Sequence, residues 1–164
     1  MSSKSQIKGK QIKDDTITGD DVNEDTLIMK YFTTHKYNLG SDSGAAFIRF
    51  NAAGSNSTGQ ENNRFVVPAG GKLSYVAFRS EGTPGNTEVA ICKISDGTQD
   101  FGSGSPSADV IVNVQNSNQV YLFDFSGKSG AAFNAGQVIG IRVNPTNNHG
   151  VVDLTCVWEF DWSS

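Results

Sequence analysis

Hydrophobic and polar positions alternate most strictly at the end of the chain. Val152, Leu154, Cys156, Trp158 and Phe160 alternate with Asp153, Thr155, Val157, Glu159 and Asp161. A period of two sends successive side chains to opposite faces of a strand, so the first set predicts a buried face and the second an exposed one. The same pattern, less strictly kept, predicts strands over Tyr31–Leu39, Ala46–Asn51, Arg64–Val67, Lys72–Ser80, Thr87–Ile94, Asp109–Gln115, Val120–Phe125 and Gln137–Val143. Turn-forming clusters separate them: Pro68-Ala69-Gly70-Gly71, Gly82-Thr83-Pro84-Gly85-Asn86, Ser95-Asp96-Gly97, Asn116-Ser117-Asn118 and Pro145-Thr146-Asn147-Asn148. Short strands at regular spacing predict a sandwich or barrel, and about eight or nine of them favour an all-β, jelly-roll-like β-sandwich. No stretch carries the period of an amphipathic helix.

The pattern changes near residue 30. Residues 1–29 hold no aromatic side chain, and from Tyr31 onward aromatics are frequent. The first segment repeats in fives, QIKGK QIKDD TITGD DVNED TLIMK, which spaces Ile7, Ile12, Ile17, Val22 and Leu27 evenly. Five residues advance a helix by about 500°, which scatters these side chains around it. In a flat strand an odd spacing alternates them between faces. A short extended piece with a bend in each repeat keeps them on one side. Five such residues make no independent core, and repeat units bury their apolar faces against neighbours. Residues 1–29 therefore read as an extended anchoring and trimerisation arm, and residues 30–164 as the β-sandwich domain. The plain alternative is a solvated tail with chance spacing. The arm is also bipolar: Lys4, Lys8, Lys10 and Lys13 precede Asp14, Asp15, Asp20, Asp21, Glu24 and Asp25.

Composition narrows the function. The 164-residue chain carries a net charge of -4 and only 18% charged residues. An acidic chain without a basic face argues against nucleic acid as a partner. No segment approaches the ~20 apolar residues of a membrane span. The N-terminus, Met1-Ser2-Ser3-Lys4, lacks the apolar core of a signal peptide, so synthesis in a cytoplasm is expected. Two cysteines, Cys92 and Cys156, make no disulfide framework and read as small buried strand residues.

Candidate chemistry is sparse. Gly127-Lys128-Ser129 has the end of a phosphate-binding loop, but Leu122 stands where its first Gly belongs, so it reads as a hairpin turn. Asp21, Asn23 and Asp25 echo the start of a calcium loop, yet Thr26 replaces the required Gly and Phe32 the bidentate Glu. His35 and His149 are the only histidines, with no metal-ligand spacing and no G-x-S-x-G elbow. Asn56-Ser57-Thr58 matches a glycosylation acceptor and reads as a polar loop. The chain is expected to be no enzyme, with no catalytic residue, metal or cofactor. Residues 52–63 and 100–107 are polar loops of the kind that carry recognition in sandwich proteins, which leaves a host glycan open as a ligand.

Several stretches resemble structural proteins of tailed bacteriophages, especially those of cyanobacteria and other marine bacteria. They are Val67-Pro68-Ala69-Gly70-Gly71-Lys72-Leu73, Phe78-Arg79-Ser80-Glu81, Lys93-Ile94-Ser95-Asp96-Gly97-Thr98, Ile139-Gly140-Ile141-Arg142-Val143-Asn144-Pro145-Thr146 and Trp158-Glu159-Phe160-Asp161. The arm pattern Gln11-Ile12-Lys13-Asp14-Asp15-Thr16-Ile17-Thr18-Gly19 is similar to N-terminal stretches of phage fibre and capsid-associated proteins. The resemblance implies a virion location and homotrimers. It leaves the major capsid protein, or another virion protein, as the partner of the arm through Ile7, Ile12, Ile17, Val22 and Leu27. Because the chain is one domain on a short arm, without a long shaft, the favoured reading is a capsid decoration (cement) protein. A tail-fibre or receptor-binding knob recognising host surface glycans is the alternative. A polysaccharide-degrading tail enzyme would need a cleft with paired carboxylates.

Overall fold

The computed structural model describes residues 28–38, 44–50, 63–94 and 106–161. The apolar arm residues Ile7 to Leu27, the Asp21/Asn23/Asp25 triplet, the Ser95-Asp96-Gly97 turn, the Asn56-Ser57-Thr58 site and most of both polar loops lie outside them. The described elements are β1 (Ile28–Asn38), β2 (Ala46–Phe47), β3 (Phe65–Val66), β4 (Gly70–Ser80), β5 (Gly85–Ile94), β6 (Ala108–Val114), β7 (Val120–Asp124), β8 (Ala132–Phe133), β9 (Val138–Pro145) and β10 (Val151–Asp161). Among the described residues, one 3-10 turn covers Ser129–Ala131.

The strands form two antiparallel sheets. The first has the order β1-β10-β4-β7, with β8 also on β4; the second has the order β2-β9-β5-β6, with β3 also on β9. β10 pairs along the whole length of β4, so β7 and β8 follow one another along its other edge. β2 and β3 share the far edge of β9 in the same way. Each sheet is thus four strands wide. β5 and β6 form a hairpin within the second sheet; the chain otherwise passes from one sheet to the other between successive strand positions. This is the two-sheet, eight-position arrangement of a jelly roll, and the chain is an all-β sandwich.

The strict alternation of the last strand is satisfied as predicted. Val152, Leu154, Cys156, Trp158 and Phe160 are buried between the sheets, facing Val89, Ile91, Ile139, Ile141 and Val143 of the second sheet within one apolar cluster. Burying each such side chain is worth about 1.5–3 kcal/mol. Trp158 occupies one end of that core, with Phe50, Phe65 and Phe133 around it at ring-centroid distances of 6.3, 5.7 and 6.0 Å.

Glycine is required at Gly71 and Gly85, for different reasons. A Cβ on Gly71 would overlap the carbonyl oxygen of Glu159 on β10. Gly85 opens β5 at φ 72°, a left-handed conformation that side chains resist. The predicted hairpin at Gly127-Lys128-Ser129 is corrected by the pairing. β7 and β8 do not pair with each other; both pair with β4, and the glycine-containing turn carries the chain onward along that edge. β8 itself was not predicted, because two residues carry no periodicity.

Candidate docking face on the outer sheet

The second half of the β10 alternation, Asp153, Thr155, Val157 and Glu159, lies on the outer face of the first sheet. The registers of β1 and β4 against β10, and of β7 against β4, extend these four positions into rows. Lys36, Asp153, Arg79 and Val120 form the first row, and Thr34, Thr155, Ala77 and Leu122 the second. Phe32, Val157, Tyr75 and Asp124 form the third, and Lys30, Glu159 and Lys72 the fourth. Two rows that carry Ala77, Leu122, Phe32, Val157 and Tyr75, beside two threonines and Asp124, therefore lie between two charged ones.

A bulge makes this possible. The β4–β10 register shifts between Val157 and Trp158, and Leu73 and Ser74 are buried consecutively. The extra residue resets the alternation, so Lys72 and Tyr75, three apart in sequence, face the same way. The apolar side chains are well exposed: Phe32 by 73%, Leu122 by 65%, Val120 by 58% and Tyr75 by 37%. An exposed apolar cluster rimmed by charge is the form an interaction site takes on a soluble protein.

Ion pairs order both rims. Glu159 receives Lys30 Nζ at 3.2 Å and Lys72 Nζ at 3.0 Å on its two oxygens. Burial pushes the Glu159 carboxyl up, but the lysine hydrogen bonds and the Lys72 charge outweigh it and hold it below the usual carboxylate range. At the other rim Asp153 takes Arg79 Nη1 at 2.7 Å and lies 3.8 Å from Lys36 Nζ. Arg79 also donates to the Asn118 side chain, and Asn118 holds the β6–β7 turn at φ 62°. Pairs this exposed contribute about 0–1 kcal/mol each. Their larger effect is to fix the side chains that border the apolar rows. A shallow cavity lined by Lys72, Glu159, Ala132 and Asp161 continues the face past the Glu159 rim.

The histidines do not meet. His35 Nδ1 lies 2.7 Å from the Arg49 carbonyl, which can only accept, so Nδ1 carries the proton. Nε2 then accepts from the Thr33 hydroxyl at 2.9 Å, and Thr33 accepts from Trp158 Nε1 at 3.0 Å. His35 thereby ties β1 to the chain following β2. Burial pushes its pKa down by more than the Arg49 bond raises it. His149, in the Asn-rich loop between β9 and β10, is fully buried: Nδ1 donates to the Gly150 carbonyl at 2.8 Å and the ring stands edge-on to Tyr37. Cys92 and Cys156 are free and buried, as their strand positions predicted. Cys156 belongs to the core, whereas Cys92 lies on the side of β5 away from Val89 and Ile91. Among the described residues no group of three or more His, Cys, Asp or Glu is placed to hold a metal ion, and no helix is long and apolar enough to cross a membrane.

No family model matches the chain, and no curated protein matches it. Among solved structures, a chain from the crystal structure of tomato aspermy virus is similar at 14% identity, over 80% of this chain and 77% of that one, with a TM-score of 0.36. A likeness of that strength adds nothing to the topology read directly from the strand pairing.

Proposed function

We propose that the protein is a non-enzymatic structural component of a virus particle: a trimeric decoration protein that attaches to the major capsid shell through residues 1–29 and displays its jelly-roll domain. The observation that carries this reading is the outer face of the first sheet. It lies on rigid strands and is apolar between charged rims, which suits it to a segment of protein chain rather than to a small substrate. The pentapeptide arm supports the same reading, since its apolar residues need a groove to lie in. The resemblance of the Gly71, Ser80, Thr146 and Asp161 neighbourhoods to tailed-phage structural proteins supplies the virion setting. Quantitative mass spectrometry of purified particles tests the assignment. Hundreds of copies per particle are expected. A handful would move the protein to the tail and favour the receptor-binding knob, and none would remove it from the virion.

A further inference from the structure

The outer face of the first sheet needs an occupant. We infer that it receives the acidic half of the arm, residues 14–27, from a second copy of the chain. This refines the trimer reading above and rests on it, and it divides the arm: the basic half, with Ile7 and Ile12, remains for the shell.

Spacing is the first argument. Phe32 on β1 and Leu122 on β7 stand three strands and one row apart. With strands ~4.8 Å apart and same-face residues ~6.8 Å apart along a strand, their separation is about 16 Å. One pentapeptide reaches at most about 17 Å when fully extended, and the bend that keeps its apolar residues on one side shortens that reach. Successive apolar residues of the arm, Ile17 and Val22 or Val22 and Leu27, thus match nearer pairs on the face, such as Phe32 and Tyr75, two strands and about 10 Å apart in one row.

Charge is the second. Residues 14–27 carry six carboxylates and no cation. Each rim of the face carries two cations for one carboxylate: Lys30 and Lys72 around Glu159, Lys36 and Arg79 around Asp153. Asp124, at the β7 end of the Phe32 row, and Asp161, the next outward position of β10 past Glu159, are further carboxylates on this face. Asp161 balances the Glu159 rim, so the excess of positive charge lies at the Asp153 rim, and the acidic residues flanking the apolar arm residues come to lie beside Lys36 and Arg79.

Size and direction decide between occupants. Four strands by four rows cover roughly 500 Å². That is short of the ~800 Å² per partner of a stable interface between two folded domains. The chain's own arm enters β1 at Ile28, beside Asp161 and beyond the Lys30 rim; to cover its own face it would have to reverse at that residue. A sister arm needs no reversal. Arm-on-face contact is head-to-tail and closes into a ring when the rotation between copies permits, which is how such a contact yields a trimer.

Cysteine crosslinking in the full-length protein tests this. Val22→Cys and Leu122→Cys are made in separate chains, co-refolded and oxidised mildly; native Cys92 and Cys156 are buried and do not compete. The expected result is a disulfide between the two different chains. It should form at least tenfold faster than between Val22→Cys and Ile111→Cys, which places an equally exposed thiol on the other sheet. In addition, Phe32→Asp with Leu122→Asp should weaken self-association at least tenfold, read by analytical ultracentrifugation. Equal crosslinking at both positions would overturn the inference. So would a crosslink confined to single chains when a Val22→Cys/Leu122→Cys double variant is diluted into excess unmodified protein. A trimer that forms without the arm-to-face crosslink sinks the docking site and leaves the assembly reading standing, whereas a monomer sinks both.

Discussion

Replacing Trp158 by alanine tests the register on which both the core and the outer face depend. The ring is 1% exposed and is surrounded by Phe50, Phe65 and Phe133. Removing a buried Trp or Phe costs about 3–5 kcal/mol, the amount set by how far the neighbours collapse into the space. Here the neighbours come from both sheets and from three different segments, so collapse is restricted and the cost belongs near the upper end, about 4–5 kcal/mol. The lost N–H bond adds little, because the Thr33 hydroxyl keeps its bond to His35. Trp158→Phe retains a ring and gives up only that bond and some volume, about 1–2 kcal/mol. Urea denaturation followed by far-ultraviolet circular dichroism reads both. In a domain of this size the alanine variant should melt roughly 12–20 °C lower. A cost below about 1 kcal/mol would mean that the ring faces solvent. The register would then be wrong by one residue, with Val157 and Glu159 turned inward, and the rows of the docking face would not exist.

Three further outcomes follow from the same geometry. Because burial lowers the His35 pKa, the unfolded chain takes up this proton more readily than the native one. Stability should therefore be intact above about pH 7 and fall as pH drops through the ordinary histidine range near 6.5, and His35→Gln should flatten that slope between pH 7 and 5 in denaturation curves; an unchanged slope would contradict the His35 environment. Burial pushes the Cys92 thiol up to about 11 and the Cys156 thiol up to about 12, so a thiol reagent at neutral pH should label neither in the native protein and both in denaturant, and rapid native labelling would refute their placement. Leu122→Asp alone should change stability by less than about 0.5 kcal/mol, since the side chain is largely exposed; a larger loss in the same denaturation assay would show that Leu122 supports the fold rather than a partner.

The strands were legible because each is half-buried and so writes its period into the sequence, Val152 to Phe160 most plainly. What could not be read follows from tertiary pairing. β8 is two residues long, and only its position on β4 makes it a strand. The Leu73-Ser74 bulge leaves no local mark, yet it decides that Lys72 and Tyr75 share a face. The docking face draws Phe32, Tyr75, Leu122 and Val157 from four strands that are distant in sequence, and no window contains them together. Two local signals pointed to it: Val157 interrupts the polar side of β10, and Val120-Tyr121-Leu122-Phe123 is apolar on both sides of β7. A strand apolar on both sides is buried twice or covers something outside. The burial of His149 was not legible, because Tyr37 and the β4–β10 end that close over its Asn-rich loop are distant in sequence.

Attachment to the particle is the central claim, and co-sedimentation with capsid shells assembled without this protein measures it most directly. The jelly-roll domain has its own closed core, so a chain lacking residues 1–27 should remain soluble and unfold cooperatively. That truncated chain should stay in the supernatant at concentrations at which the full-length protein saturates the shells. Replacing Ile7 and Ile12 by Asp should weaken pelleting of the full-length protein and leave its melting nearly unchanged. Full decoration of the shells by the truncated chain would place the anchor on the β domain and contradict the account.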